Sequence, residues 1–204
     1  MPTSLSSPAD LVNDALRRIG YKLRVASLED GSEASGLALD LYGQTRDTML
    51  RDGDWMFAQR EVNGTVLKTA PPGGYFDAPW DPTSAPPIGW QYSFSYPDDA
   101  LKIRAVRPQP GFPVEMEPLP TLFNVVNDNG YNPPRRVIVA NIANPVIVYV
   151  GRVTAPDTWS VDFTEALCAA LARRLAPSLA NLNVEQVEAQ DEAVSRQAAT
   201  RETG

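Results

Sequence analysis

An α+β fold is predicted from three features of the 204-residue chain: two helical stripes near its start, a proline-rich middle of alternating apolar and polar residues, and a third apolar helix stripe near its end. The expected arrangement is an antiparallel helical bundle formed by the N- and C-terminal helices. A central antiparallel β insertion with long loops interrupts it, and a C-terminal helical arm follows it. The corresponding spans are 1–61, 62–153, 154–182 for the third bundle helix, and 183–204 for the arm.

The first helix is expected over 8–19, with Ser7 as its cap, Pro8 at the first helical position and Asp10 at the third. Leu11, Val12, Ala15, Leu16 and Ile19 form its apolar stripe, and Gly20 stops it. After a connector at 23–28, a second helix starts past Ser32 and runs to about Arg51. Leu37, Leu41, Tyr42, Thr45, Thr48 and Met49 are expected along one side, with Asp40, Gln44 and Asp47 along another. Gly36 and Gly43 each lower its propensity by up to ~1 kcal/mol where exposed, so packing must compensate. Trp55 and Phe57, just beyond it, close the helical core.

Twelve of the 19 prolines fall between Thr65 and Val125, which limits helix there. Strands are expected at 65–67, 91–96, 101–106, 113–118, 121–125, 136–141 and 146–152. Tyr92, Phe94 and Tyr96 alternate with Gln91, Ser93 and Ser95, and Leu101, Ile103 and Ala105 alternate with Lys102, Arg104 and Val106. Pro97-Asp98-Asp99 reads as the turn between them. The run from Val146 to Gly151 reads as a strand covered on both faces, and residues 70–89 read as a loop. The third helix spans about 162–175, with Phe163, Ala166, Leu167, Ala170, Leu171 and Leu175 on its apolar face and Pro177 at its end or at a kink. Val184, Val187 and Val194 are too sparse to bury a broad face, so 184–200 reads as an arm ordered by a partner.

Composition removes several kinds of chemistry. With no histidine and one cysteine, Cys168, there is no Ser-His-Asp or Cys-His arrangement, no internal disulfide and no multi-cysteine metal site. Cys168 lies on the apolar side of the third helix and reads as a small buried residue. No signal peptide is expected in the first residues, nor does any stretch reach the ~20 apolar residues of a membrane span, which makes a cytosolic origin the default. The net charge of -7, with basic residues clustered no further than the pairs Arg17-Arg18, Arg135-Arg136 and Arg173-Arg174, does not suit sequence-independent DNA binding. Asp98-Asp99 reads as a turn, and Pro71-Pro72-Gly73-Gly74 lacks the spacing of a phosphate cradle. A hydrolase working with carboxylates alone remains the enzymatic alternative, with Asp77, Asp81, Glu115 and Glu117 available to it.

Three stretches, in order along the chain, carry a resemblance. The first joins Ala15-Leu16-Arg17-Arg18-Ile19-Gly20, Ser27-Leu28-Glu29-Asp30-Gly31-Ser32-Glu33-Ala34, Leu41-Tyr42, Arg46-Asp47-Thr48-Met49-Leu50 and Asp54-Trp55-Met56-Phe57-Ala58. The second runs from Tyr92 through Pro97-Asp98-Asp99 to Val106. The third is Tyr149-Val150-Gly151-Arg152-Val153 with Trp159, Phe163 and the helix through Leu175-Ala176. Together they resemble the head-to-tail connector adaptors of tailed bacteriophages, the group that includes tail tubular protein A of short-tailed phages. The loops at 71–89 and 108–134 are individual to this chain.

The resemblance implies a structural virion protein at the head-tail junction, assembled in the host cytoplasm, with no enzymatic activity and no cofactor. It implies a homo-oligomeric ring, commonly of twelve copies, docked beneath the portal protein and extending the DNA channel. Packaged DNA would pass without sequence-specific binding, past an acidic wall. The C-terminal segment would reach the portal, and the β part the next tail or neck component. In that family the second stretch is an aromatic strand, a Pro-Asp turn and a return strand. Other phage ring proteins (a neck, stopper or tail-terminator protein) are the nearest alternative, and a bacterial binding module is a more distant one.

Ring contacts join two different faces of one subunit. Asp40 and Asp47 on the second helix, opposite Arg173 and Arg174 on the third, are candidates for such a charged joint, serving register more than strength. Val184, Val187 and Val194 are candidates for the portal contact. Phe112, Leu122 and Phe123 place apolar surface in a loop-prone segment that either projects toward a partner or folds back over the sheet.

Overall fold

A computed structural model describes residues 7–22, 24–73, 79–109 and 121–179. The expected α+β class is observed: helices from both ends of the chain flank a central antiparallel β region. The chain divides into two compact units, one made of Met1–Ala58 with Arg152–Gly204 and the other of Gln59–Gly151.

The first unit holds α1 (Pro8–Arg18), α2 (Glu33–Asp52) and α3 (Val161–Leu179). Ser7 caps α1 by accepting from the Asp10 N–H at 3.2 Å, and its own hydroxyl donates to the Asp10 carboxylate at 2.6 Å. Ser32 caps α2 through the Ser35 N–H, and Ser160 caps α3 through the Phe163 N–H. The Asn13 side chain donates to the Val25 carbonyl and accepts from the Val25 N–H, which clips the connector onto α1.

α3 packs against both other helices, and its buried set includes Ala166, Ala169, Ala170, Ala172 and Ala176 among larger residues. These small side chains let two helices approach one central helix on different sides. Pro177 lies inside the last described turn of α3, which runs four residues beyond the expected end. Phe163, fully buried, is ringed by Trp55 at 5.0 Å, Phe57 at 5.2 Å and Trp159 at 5.0 Å, all near edge-to-face. The Trp55 indole N–H donates to the Met49 carbonyl at 2.8 Å and so ties this cluster to the last turn of α2.

The buried face of α2 matches expectation only in part. Ala34, Ser35, Ala38, Tyr42, Thr45 and Leu50 are buried, whereas Leu37, Leu41, Thr48 and Met49 are only half-buried. Tyr42 and Thr45 of the expected side are thus buried, and Ala34, Ser35, Ala38 and Leu50 complete the inward set.

The second unit is a pair of antiparallel sheets. One has the order β1-β7-β4, from Gln59–Asn63, Pro145–Gly151 and Ala100–Pro108; the other has the order β2-β3-β6-β5, from Val66–Thr69, Tyr92–Ser95, Arg135–Ala140 and Phe123–Asp128. Phe94, Ile138 and Ala140 of the second sheet share a core with Ile103, Val106, Ile147 and Tyr149 of the first. β7 is buried at all seven positions, as its uninterrupted apolar run suggests.

Three local features depart from the sequence reading. β1 is an additional strand, with every residue exposed, so it carries no alternation to reveal it. Pro97-Asp98-Asp99 does form a turn, closed by the Ala100 N–H on the Pro97 carbonyl at 3.0 Å, but β3 and β4 lie in different sheets. The turn is a corner between layers rather than a hairpin. In β4, register shifts after Ala100 and Ile103 reset the alternation, so that Ile103 and Val106 both reach the shared core. The strand expected at 113–118 lies outside the described residues.

Candidate interaction surfaces

The helical unit carries an internal charge network on its surface. Asp47, half-buried, accepts from Arg46 at 2.7 and 2.9 Å and from Arg152 at 2.8 Å. Asp47 is thus engaged within its own chain, and Asp52 likewise pairs with Arg51 at 3.0 Å. Asp40 is exposed on α2, Arg173 is exposed on α3, and Arg174 is half-buried. Below the surface, the buried Asp14 receives Arg18 at 2.9 Å and pairs with Arg17. Burial, reinforced by the nearby Asp14 carboxylate, pushes the Cys168 thiol up to about 12, and its S–H points to the Leu11 carbonyl at 3.6 Å. Such a thiol is neutral at physiological pH and is not an activated nucleophile. Leu39, Met56 and Val161 are exposed apolar residues of this unit.

In the β unit, one polar contact organises a larger structure. Lys68 on β2 and Asp128 on β5 come from the two edge strands of the four-stranded sheet. Lys68 is level with Asn124, four residues from Asp128 along β5, so in a flat sheet the two would stand roughly 20 Å apart. Twist and coiling bring these diagonal corners together, and Lys68 Nζ lies 2.7 Å from Asp128 Oδ2. The same ammonium donates to the Pro82 carbonyl at 2.7 Å and lies 4.3 Å from the Tyr131 ring centre. The loop at 79–91 is thereby pinned to the sheet.

Two further contacts shape that loop. The Trp80 indole N–H donates to the Pro86 carbonyl at 2.9 Å. Asp81 accepts from the Thr83 N–H and from the hydroxyls of Thr83 and Ser84, which hold its carboxyl below the usual range. Between the loop and the β5–β6 turn lies a pocket of about 210 Å³, lined by Trp80, Pro82, Pro87 and Ile88 on one side and Asn127 to Gly130 on the other. Trp80 is 40% and Ile88 67% exposed. Gly130 is required here by contact: a Cβ at this position would collide with the Pro82 carbonyl oxygen and Lys68 Nζ.

Among the interface candidates, Leu122 is 79% exposed, while Phe123 is half-buried and packs against the shared sheet core. Phe112, Val184, Val187 and Val194 lie outside the described residues, as do Asp77, Glu115 and Glu117. Among the described residues no group of three or more His, Cys, Asp or Glu is placed to hold a metal ion, and no helix is long and apolar enough to cross a membrane. The Trp80 pocket and the Lys68–Asp128 pair are additions from the structure. A tryptophan and an isoleucine inside a proline-rich loop are a weak sequence signal for the pocket; the ion pair, 60 residues apart in sequence, has none. No protein-family model matches the chain, and no match is found among curated protein sequences.

Proposed function

We propose that this chain is a structural head-to-tail adaptor of a tailed bacteriophage or a phage-derived particle, a ring protein docked beneath the portal. The observation that supports this best is the way the two ends of the chain cooperate. α1 and α2 pack with α3 as one helical unit, and everything between Gln59 and Gly151 forms a second, β-built unit. That division suits a part with two attachments, one toward the portal and one toward the tail. The helical unit borders the DNA channel, and the net charge of -7 favours passage of DNA over retention. The sheets and the Trp80 pocket offer the surface for the next tail or neck component. In this reading the chain works by contact alone, in a ring expected to hold twelve copies.

The test is to mix the purified chain with the portal of the same particle and image the product by cryo-electron microscopy. A ring coaxial with the portal, with the 184–200 segment ordered against it, is the expected result. Binding only to the end of a tail tube would move the chain to the terminator or neck class. Contact with neither component would overturn the reading.

A further inference from the structure

Lys68 and Asp128 are set apart from the other ion pairs of the β unit by burial and by chemistry. Each of their side chains is 4% exposed, whereas Arg60–Asp99 and Arg107–Glu61 each hold a side chain that is 45% exposed. Those two pairs use arginine, whose guanidinium does not give up a proton in proteins. Lysine does, and its free amine is a nucleophile toward a carbonyl carbon. The 2.7 Å contact between Nζ and Oδ2 puts the carboxyl carbon Cγ, one bond further on, within about 4 Å of the amine. That is a small shift from the ~3–3.5 Å of atoms held ready to react.

The surroundings of the pair match the needs of an amide. The Gly130 N–H donates to Asp128 Oδ1 at 2.9 Å, and the Pro82 carbonyl accepts from Lys68 Nζ at 2.7 Å. One donor therefore faces the oxygen that a secondary amide would keep, and one acceptor faces the nitrogen. The Tyr131 ring, with its centre 4.3 Å from Nζ, shields the amine. The close approach of Gly130 to Pro82 and Lys68 leaves no room for a Cβ, so its N–H is fixed in place. Two charges buried together are each stripped of water at a cost, and condensation to an amide removes both.

The geometry points to a covalent bond within the chain: after folding, Lys68 Nζ condenses with Asp128 Cγ and joins β2 to β5 through an amide. Of the three protons on the ammonium, two pass to Oδ2. The Nζ lone pair forms the bond to Cγ, the Cγ–Oδ2 bond breaks with its electron pair on oxygen, and Oδ2 leaves as water. The third proton stays on nitrogen and keeps its bond to the Pro82 carbonyl. Negative charge that builds on Oδ1 during the addition is met by the Gly130 N–H, and Oδ1 remains as the amide oxygen. The water has room in the adjoining pocket of about 210 Å³, which Pro82, Asp128 and Gly130 help to line. No second reactant is needed, because two groups held in one contact react at an effective concentration that free amine and acid never reach. The bond links residues 60 positions apart, so it constrains the unfolded chain as a disulfide does, and it fastens the two outer strands of the four-stranded sheet. It is independent of the adaptor reading and holds whatever the chain assembles with.

Intact mass spectrometry of the full chain, purified folded and then incubated, tests the bond. The expected result is a chain lighter than its sequence mass by one water, in a fraction that grows with time after folding. Protease digestion should release a branched peptide that joins the Lys68 and Asp128 segments. Lys68→Arg keeps the positive charge and removes the nucleophile, so it should hold its full sequence mass and show at least a tenfold loss of the water-depleted form. Wild-type chain that still has its full sequence mass at the end of the incubation would overturn the bond. So would an equal loss of water from folded Lys68→Arg. If Lys68→Arg does not fold, the wild-type digest decides alone: fragment masses place the linkage on Lys68 and Asp128, or they place the lost water elsewhere and overturn it. Chain that has not condensed retains the ion pair, and the stability of that pair is read on the fraction of full mass.

Discussion

Lys68 and Asp128 meet although they stand on the opposite edge strands of a four-stranded sheet, with 2.7 Å between Nζ and Oδ2. The contact holds the coil of the sheet, pins the Pro82 carbonyl and removes the last charge from both edges. Removing Lys68 alone leaves a buried carboxylate without its cation. Lys68→Met should therefore lower stability by about 3–5 kcal/mol, whereas Lys68→Met with Asp128→Leu should recover most of the loss. A double-mutant cycle by urea unfolding measures both. Additive single-variant effects would show that the two side chains are not coupled.

Glycines in the two units respond with opposite signs. Gly36 sits exposed on α2, with open space where a Cβ would stand, so Gly36→Ala should add up to about 1 kcal/mol. Gly130→Ala drives a methyl group into the Pro82 carbonyl and should cost about 1–3 kcal/mol as the loop lifts. The fluorescence of Trp80, held by its bond to Pro86, should shift with Gly130→Ala and not with Gly36→Ala.

Phe163 is the common neighbour of Trp55, Phe57 and Trp159. Phe163→Ala should destabilise the helical unit by about 3–5 kcal/mol, and Phe163→Leu by less, because the volume is largely kept. Thermal unfolding followed by near-ultraviolet circular dichroism reports the loss of the ring cluster directly.

Tyr42 is buried on α2, its hydroxyl has no hydrogen-bond partner among the described residues, and burial pushes its pKa up to about 12. The sign follows from this raised value. The protonated form is favoured by the fold, so its contribution is complete below the ordinary tyrosine pKa of ~10 and is lost as pH rises toward 12. Tyr42→Phe should be close to neutral or stabilising at pH 7, since no partner is left behind. It should also flatten part of the stability loss between pH 10 and about 12. Urea midpoints measured across that range check both statements, and a large loss at pH 7 would point to a bond that the hydroxyl makes.

The helices are legible from local chemistry. Ser7-Pro8, Ser32 and Ser160 act within one turn of themselves, and the stripe Phe163-Ala166-Leu167-Ala170-Leu171 declares a buried face because helical geometry puts those positions side by side. The same reasoning succeeds only in part for α2, where Tyr42 and Thr45 of the expected side are buried but Leu37, Leu41, Thr48 and Met49 are half-buried. Period-two patterns locate most strands but say nothing of which sheet each joins. The bulges that let Ile103 and Val106 share one core cannot be read from residue type.

Of the candidate surfaces, sequence alone identifies Asp40, Asp47, Arg173 and Arg174 as charged helix positions and Leu122 as apolar surface that either projects toward a partner or folds back over the sheet. It does not show that Asp47 is engaged by Arg46 and Arg152, since Arg152 is 105 residues away. Charge, the missing histidines, the helix caps and the α+β class are properties of composition and of neighbours within a few positions, and they follow from the amino-acid order. The corner at Pro97, the Trp80 pocket and the neutral edges of the four-stranded sheet arise from strand order and twist. Those are settled only when distant segments compete for the same partners, so the folded chain alone decides that a lysine and an aspartate on opposite edges cancel each other.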